Sequence, residues 1–294
     1  MPPTAKRIAQ VITNSFEHST TTIEYDHCRD IGDGRGYTCG SIGFTTGTGD
    51  ALILVEDYEK SKGTKTSFAP FNTELGRLSN RTDCGGSNSD ITGLIGFDQA
   101  WKRESCDEKF RRAQDKLADT MYFLPAMGLA TEVGVKSNLG KAIFYDTAIQ
   151  HGWEADNGMS LKSIIKMVGA YKEEAEYLNR FLKTRWKLLC CFPDQVWPAS
   201  SDRVHELFGL LEAKNFDLNL PIRLSSYQIT ISGSEYMEKT CEGKPLTPIC
   251  NNSKCDPNEQ EKESGIKAIS SAGKSPFHPF IIIPIIAFGL KFRH

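Results

Sequence analysis

Apolar side chains recur at helical spacing near the N-terminus. Ile8, Val11, Ile12 and Phe16 share one stripe over residues 6–17, and Glu17 stands at its end. From Tyr25 to Gly49 the pattern breaks into turns, with short β-like pieces around Tyr37 and Ile42-Gly43-Phe44. "DALILVEDYEKS" then reads as a helix with Asp50 as its N-cap. Residues 61–96, rich in Gly, Ser and Asn, read as an exposed loop holding a short helix; Cys84 and Cys106 flank its later part and could be joined. Apolar periodicity predicts further helices over about 98–121, 125–151, 159–169, 172–190 and 201–213, and "NFDLNLPIRL" closes the folded part. From about residue 237 the chain turns polar, with Pro, Lys, Glu, Asn and Cys prominent, which is the composition of a stalk or linker. The pattern therefore predicts a mainly helical body over 1–236, a polar Cys-containing stalk over 237–275 and an apolar tail over 276–294.

Composition narrows the function classes. The 294 residues suffice for one large domain or two lobes with a substantial core. A net charge of −2 provides no basic field for nucleic acid. Nine cysteines are present, yet no C-x-x-C pair has a matching second half, so no zinc site is expected. Two sequons, Asn80-Arg81-Thr82 and Asn251-Asn252-Ser253, together with the cysteine count, favour disulfides and an extracellular or cell-surface location. "MPPTAKRIAQVITNSFE" has no apolar core of the signal-peptide kind, so either the protein stays inside the cell or, as the extracellular expectation requires, a leader lies outside the sequence. Small residues at Ser270-Ser271-Ala272-Gly273, followed by "PFIIIPIIAFGLKFRH", are similar to a GPI-anchor signal; membrane attachment through this tail is the expectation. The alternative is a disordered or core-docked end.

The richest chemistry lies between Arg29 and Asp50, "RDIGDGRGYTCGSIGFTTGTGD", where seven glycines stand among three acids and two arginines. "GDGRG" lacks the pattern of a phosphate-binding loop, and its aspartate would repel phosphate. Asp30 and Asp33 lie close, but the ligand ladder of a calcium-binding loop is missing. No metal or cofactor is expected. A carboxylate pair fits better: Glu17 ends an amphipathic helix and Asp33 lies in a glycine loop, and glycosidic hydrolysis needs two carboxyls on opposite faces of a sugar ring.

Three more charges fall where apolar residues belong. Asp146 shares a helical stripe with Ile143 and Ile149, Arg185 with Leu178, Leu182 and Leu189, and Arg203 with Leu207 and Leu210. Unpaired burial would cost several kcal/mol each, so the three are expected to pair. The network is either purely architectural or positions a catalytic carboxylate.

"SFEHSTTTIEYDHCRDIGDGRGYTCGSIGFTTGTGD" resembles the N-terminal signature of the chitosanases of glycoside hydrolase family 46, and "YDTAIQHG", "YLNRFL" and "NFDLNLPI" match later family segments, so that the resemblance spans roughly residues 5–230. It implies a lysozyme-like fold, mainly α with a small β-hairpin region, in two lobes with a substrate cleft between them. It also implies inverting endo-hydrolysis of β-1,4 bonds in chitosan by a monomer. By position, Glu17 matches the general acid, Asp33 the general base, and Thr38 a threonine that helps hold the attacking water. Arg35 and Asp50 match substrate-cleft positions, with Asp50 suited to a glucosamine ammonium; Tyr122 and His151 match further cleft positions. Asp146, Arg185 and Arg203 match the family's buried charge network. The chain departs from many relatives at Arg29, which stands in place of an acid, and at His27, where an aromatic can occur. Both changes bear on substrate choice, and a partly acetylated polymer is conceivable. Two other readings of the scaffold are a non-catalytic polysaccharide-binding surface protein and a muramidase-like hydrolase.

Overall fold

The computed structural model describes residues 1–79, 89–154, 158–191 and 196–233, and the backbone of two short strands at 240–241 and 244–245. Both sequons, Cys84, most of the predicted stalk and the apolar tail lie outside the described residues. In chain order the elements are α1 (Pro3–His18), β1 (Cys28–Asp30), β2 (Tyr37–Cys39), β3 (Phe44–Thr45), α2 (Asp50–Lys62), α3 (Asn72–Ser79), α4 (Phe97–Glu104) and α5 (Glu108–Ala118). A π-helical turn (Asp119–Phe123) leads into α6 (Leu124–Val133), α7 (Asn138–His151), α8 (Leu161–Val168), α9 (Glu174–Cys191), α10 (Val196–Ala199) and α11 (Asp202–Glu212). The strands β4 (Ile222–Leu224), β5 (Ile229–Ile231), β6 (Thr240–Cys241) and β7 (Lys244–Pro245) follow. The fold is mainly helical with small antiparallel sheets, as the family resemblance implies. Among the described residues no helix is long and apolar enough to cross a membrane.

The described chain forms two compact units, one holding residues 1–21 and the described part of 122–233, the other residues 22–121 with the strands β6 and β7. In the first, α7 is buried on almost every face, from Leu139 to His151, and α1, α6, α8 and α11 pack around it. A helix surrounded by others needs no polar face, so any polar group on it must be satisfied internally. Phe144 of α7 stacks on Phe181 of α9 with ring centroids 5.0 Å apart. The last three residues of the "NFDLNLPIRL" segment form β4, which pairs with β5 in a hairpin that the sequence pattern does not announce.

The second unit is built on aromatic packing. Tyr58, Phe68, Phe97, Trp101 and Phe110 are fully buried, and Phe110 lies 4.8 Å from the Tyr58 ring and 4.9 Å from that of Trp101. Such contacts add to the area they bury. Phe68, Leu75, Leu78 and Leu94 enter this core, so the segment read as an exposed loop over 61–96 is partly interior. The β1–β2–β3 sheet lies against α2 and α4, with Arg29 opposite Thr38 and Thr38 opposite Thr45.

Two predicted helices are each broken into two. The 98–121 stretch divides where Asp107 caps α5 by accepting from Lys109 N at 2.9 Å. There the Arg111 guanidinium takes up the freed carbonyls of Ser105 and Cys106 at 2.8 and 3.0 Å. The 125–151 stretch divides at Gly134, whose φ of 97° ends α6, and restarts where Ser137 caps α7 through Gly140 N at 2.9 Å. At α2 the N-cap is Gly49, and Asp50 is the first helical residue.

Candidate active site

Glu17 is the penultimate residue of α1, 5% exposed. The apolar stripe that buries α1 carries this carboxyl inward with it, and its Oε1 lies 2.8 Å from Arg203 Nη2 of α11. The same nitrogen donates to Asp146 Oδ1 of α7 at 2.7 Å. Arg185 of α9 forms an ion pair with Asp146 Oδ2 at 2.8 Å, and Thr13 donates to Asp146 Oδ1 at 3.1 Å. The structure thus brings together Asp146, Arg185 and Arg203, the three charges singled out by their apolar stripes, and joins them to Glu17. All four lie within one unit.

The electrostatics of the two acids differ. Burial raises the Glu17 carboxyl above its ordinary range, and Arg203 offsets this only in part. Burial also works to raise Asp146, but Arg203 and Arg185 outweigh it and hold the group below the usual range. Burial pushes Arg185 down to about 10, against the pull of Asp146.

Thr13, Gln150 and His151 complete the network, and the sequence reading missed them in this role. Arg185 Nη2 donates to Gln150 Oε1, and Arg185 Nε donates to His151 Nε2 at 3.3 Å. A signal existed: Thr13 lies four residues before Glu17, and Gln150 four after Asp146, so each shares a helix face with its acid. His151 is 0% exposed. The resemblance matches His151 to a cleft position; in the structure its ring packs against Arg185. Burial, then the two arginines, push its pKa well below the ordinary histidine value, so the ring is neutral and accepts. Tyr122 lies in the π-helical turn and is 7% exposed.

Asp33 is in the other unit, at the exposed tip of the β1–β2 hairpin. Arg35 wraps back onto it: Nε donates to Asp33 Oδ2 at 2.8 Å, Nη2 reaches the same oxygen, and the backbone N–H donates to Oδ1 at 3.1 Å. Arg35 thereby fixes the Asp33 carboxylate. Thr38, on β2, is 3% exposed, and its Oγ1 has no hydrogen-bond partner among the described residues. A disulfide between Cys28 and Cys39 crosses the first rung of the hairpin, so Asp33, Arg35 and Thr38 lie inside one closed loop. Cys106 is also disulfide-bonded, whereas Cys190 and Cys191 are exposed free thiols.

Asp50 Oδ1 is taken up by its own loop, accepting from Thr45 N at 2.9 Å, Thr48 Oγ1 at 2.7 Å and Ala51 N at 3.1 Å. Oδ2 makes no hydrogen bond among the described residues. Burial raises this carboxyl, and the three donors oppose the shift.

The family model "Glycosyl hydrolase family 46" matches residues 11–222. A chitosanase of Bacillus subtilis strain 168 is 38% identical over 233 residues, covering 75% of this chain and 82% of the relative. The crystal structure of native chitosanase from Bacillus subtilis MY002 matches with a TM-score of 0.70 at 36% identity, covering 79% of this chain and 100% of that one. A chitosanase from Gynuella sunshinyii in complex with chitotetraose matches with a TM-score of 0.69 at 32% identity, covering 79% of this chain and 98% of the other. The fold is that of a glycoside hydrolase. The chain belongs to glycosyl hydrolase family 46.

Proposed function

We propose that the protein is a chitosanase that cuts β-1,4 bonds between glucosamine units within the polymer, with inversion at the anomeric carbon. The observation that carries this reading is the unequal setting of Glu17 and Asp33. Glu17 is buried and shares one arginine nitrogen with Asp146, which has a second arginine of its own. Asp146 therefore keeps the negative charge, and Glu17 is the carboxyl that holds a proton. A protonated carboxyl can serve the leaving oxygen as general acid. Asp33 faces solvent with its orientation set by Arg35, which suits a general base that draws a proton from water. Thr38 helps hold that water, and Asp50 offers Oδ2 to a substrate ammonium. Asp146, Arg185 and Arg203 position Glu17.

Incubation with chitosan, chitin and peptidoglycan, with product analysis and early-time NMR of the anomeric protons, tests the reading. Chitosan should give oligomers carrying the inverted anomer first. Glu17→Gln and Asp33→Asn should each lose roughly 100-fold or more in rate. Near-normal turnover by either folded variant would remove the assignment. Binding without products would favour the polysaccharide-binding alternative, and cleavage of peptidoglycan alone the muramidase.

The same reading places the protein outside the cell or on its surface, where a polymeric substrate and a disulfide are both at home. Release of glycosylated protein from cells by phosphatidylinositol-specific phospholipase C would support a lipid anchor. An unglycosylated cytosolic protein would end the proposal.

A further inference from the structure

Asp33 can work only if its hairpin is held still, and the hairpin is short. Its two ends, Tyr25 before β1 and Ser41 after β2, meet one side chain of α5. Gln114 Oε1 accepts from Ser41 N at 3.1 Å, and Gln114 Nε2 donates to Tyr25 O at 3.0 Å. Tyr25 O also accepts from Trp101 Nε1 at 2.9 Å, and Tyr25 Oη donates to both carboxylate oxygens of Asp115 at 2.8 and 2.9 Å. Gln114 and Tyr25 are both 0% exposed. Gly40 lets the hairpin lie flush on this amide. Its φ is 75°, and an added Cβ would overlap Gln114 Oε1 and come within 2.9 Å of Trp101 Cζ2.

From this geometry we infer that Gln114 is a positioning residue for the reaction: its amide ties both ends of the Asp33 hairpin to α5. The inference rests on the assignment of Asp33 as base. A primary amide suits the task because one planar group supplies an acceptor for the Ser41 N–H and a donor for the Tyr25 carbonyl. The bond to Tyr25 is buried, where water cannot replace it, and the bond to Ser41 is part-buried. The Cys28–Cys39 disulfide closes the hairpin on itself, whereas Gln114 fixes where the closed hairpin sits on the unit. A misplacement of about 1 Å can cost on the order of 100-fold in rate.

The test compares wild type, Gln114→Leu, Gln114→Glu, Gly40→Ala and Tyr58→Phe on a chitosan oligomer, with kcat, KM and Tm measured for each. Glu keeps the acceptor for Ser41 but faces Tyr25 O with an oxygen. Tyr58→Phe is the stability control: it deletes a buried bond to Glu104 at 2.6 Å and a part-buried one to Asp107 at 2.9 Å without touching the hairpin. Expected are kcat losses of about 10- to 100-fold in the Gln114 and Gly40 variants, with KM within about threefold. Tyr58→Phe should lower Tm and keep kcat. If Gln114→Leu does not fold, Gln114→Glu and Gly40→Ala decide. Variants that fold and keep kcat within about twofold, or a Tyr58→Phe loss of kcat as large as theirs, would overturn the inference. A wild type that leaves chitosan intact would instead overturn the functional reading, and this inference with it.

Discussion

Arg203 Nη2 lies 2.8 Å from Glu17 Oε1 while donating to Asp146 at 2.7 Å. One nitrogen thus serves two acids in the dark of a helical core. Two carboxyls and two guanidiniums could balance as a neutral set, but burial makes full ionisation costly. The carboxyl with the weaker share of positive charge carries the burden.

Glu17 therefore links stability to pH. Its folded-state pKa is raised, chiefly by burial, above the ordinary 4.5. Its contribution to stability is fully present below the unfolded value and is lost as pH rises through the folded value. Glu17→Gln never ionises, so its Tm relative to wild type should rise as pH is taken from 4 toward 8. Scanning calorimetry of both proteins across that range checks this; a constant Tm difference would contradict the raised pKa.

Asp146 behaves in the opposite sense. Its folded pKa is lowered by the two arginines, so its contribution is present above the ordinary 3.8 and is lost as pH falls through the folded value. Arg185→Ala or Arg203→Ala should cost about 3–5 kcal/mol at neutral pH, because each strands buried Asp146 with half its counter-charge. Combining either with Asp146→Asn should cost much less than the sum. Denaturant titrations of the single and double variants give the coupling, and strict additivity would dissolve the network.

Asp50 separates a loop role from a substrate role through its two oxygens. Oδ1 accepts the loop donors, and Asn can present the same oxygen. Asp50→Asn should hold Tm near wild type, whereas Asp50→Ala should lose about 1–3 kcal/mol by stranding the Thr45 N–H. If Oδ2 reads an ammonium, Asp50→Asn should also lower kcat/KM on highly deacetylated chitosan about tenfold, less on acetyl-rich polymer. Equal losses on both polymers would show that the charge is not what the substrate meets.

The Cys28–Cys39 bridge spans a sequence separation of 11 and encloses Asp33. A loop of that length should contribute about 3 kcal/mol to stability by restricting the unfolded chain. The Cys28→Ser, Cys39→Ser double variant should melt lower than wild type, and wild type in reductant should melt at least as low, because reductant also opens the disulfide at Cys106. Mass spectrometry under native and reduced conditions checks that the bond is present. Equal melting in both states would deny it a structural part.

The helical stripes, the glycine loop and the misplaced charges were all legible in the chain, because each depends on residues within a few turns of one another. Glu17 stands at the end of an apolar stripe, and Asp146, Arg185 and Arg203 on apolar faces had to find one another, since an unpaired buried charge is too costly. Local sequence could not reveal where helices stop when the stop depends on a remote partner, as with Arg111 taking the Ser105 and Cys106 carbonyls at the α4–α5 break. Nor could it show that His151 is buried behind Arg185, 34 residues away, or that Asp50 would leave its capping position to Gly49. Gln114 is the clearest case. In sequence it is one polar residue in a charged helix, and its partners Ser41 and Tyr25 lie 73 and 89 residues away. Only the folded chain brings that amide to both ends of the hairpin, because hydrogen bonds across such separations have no local pattern from which they could be read.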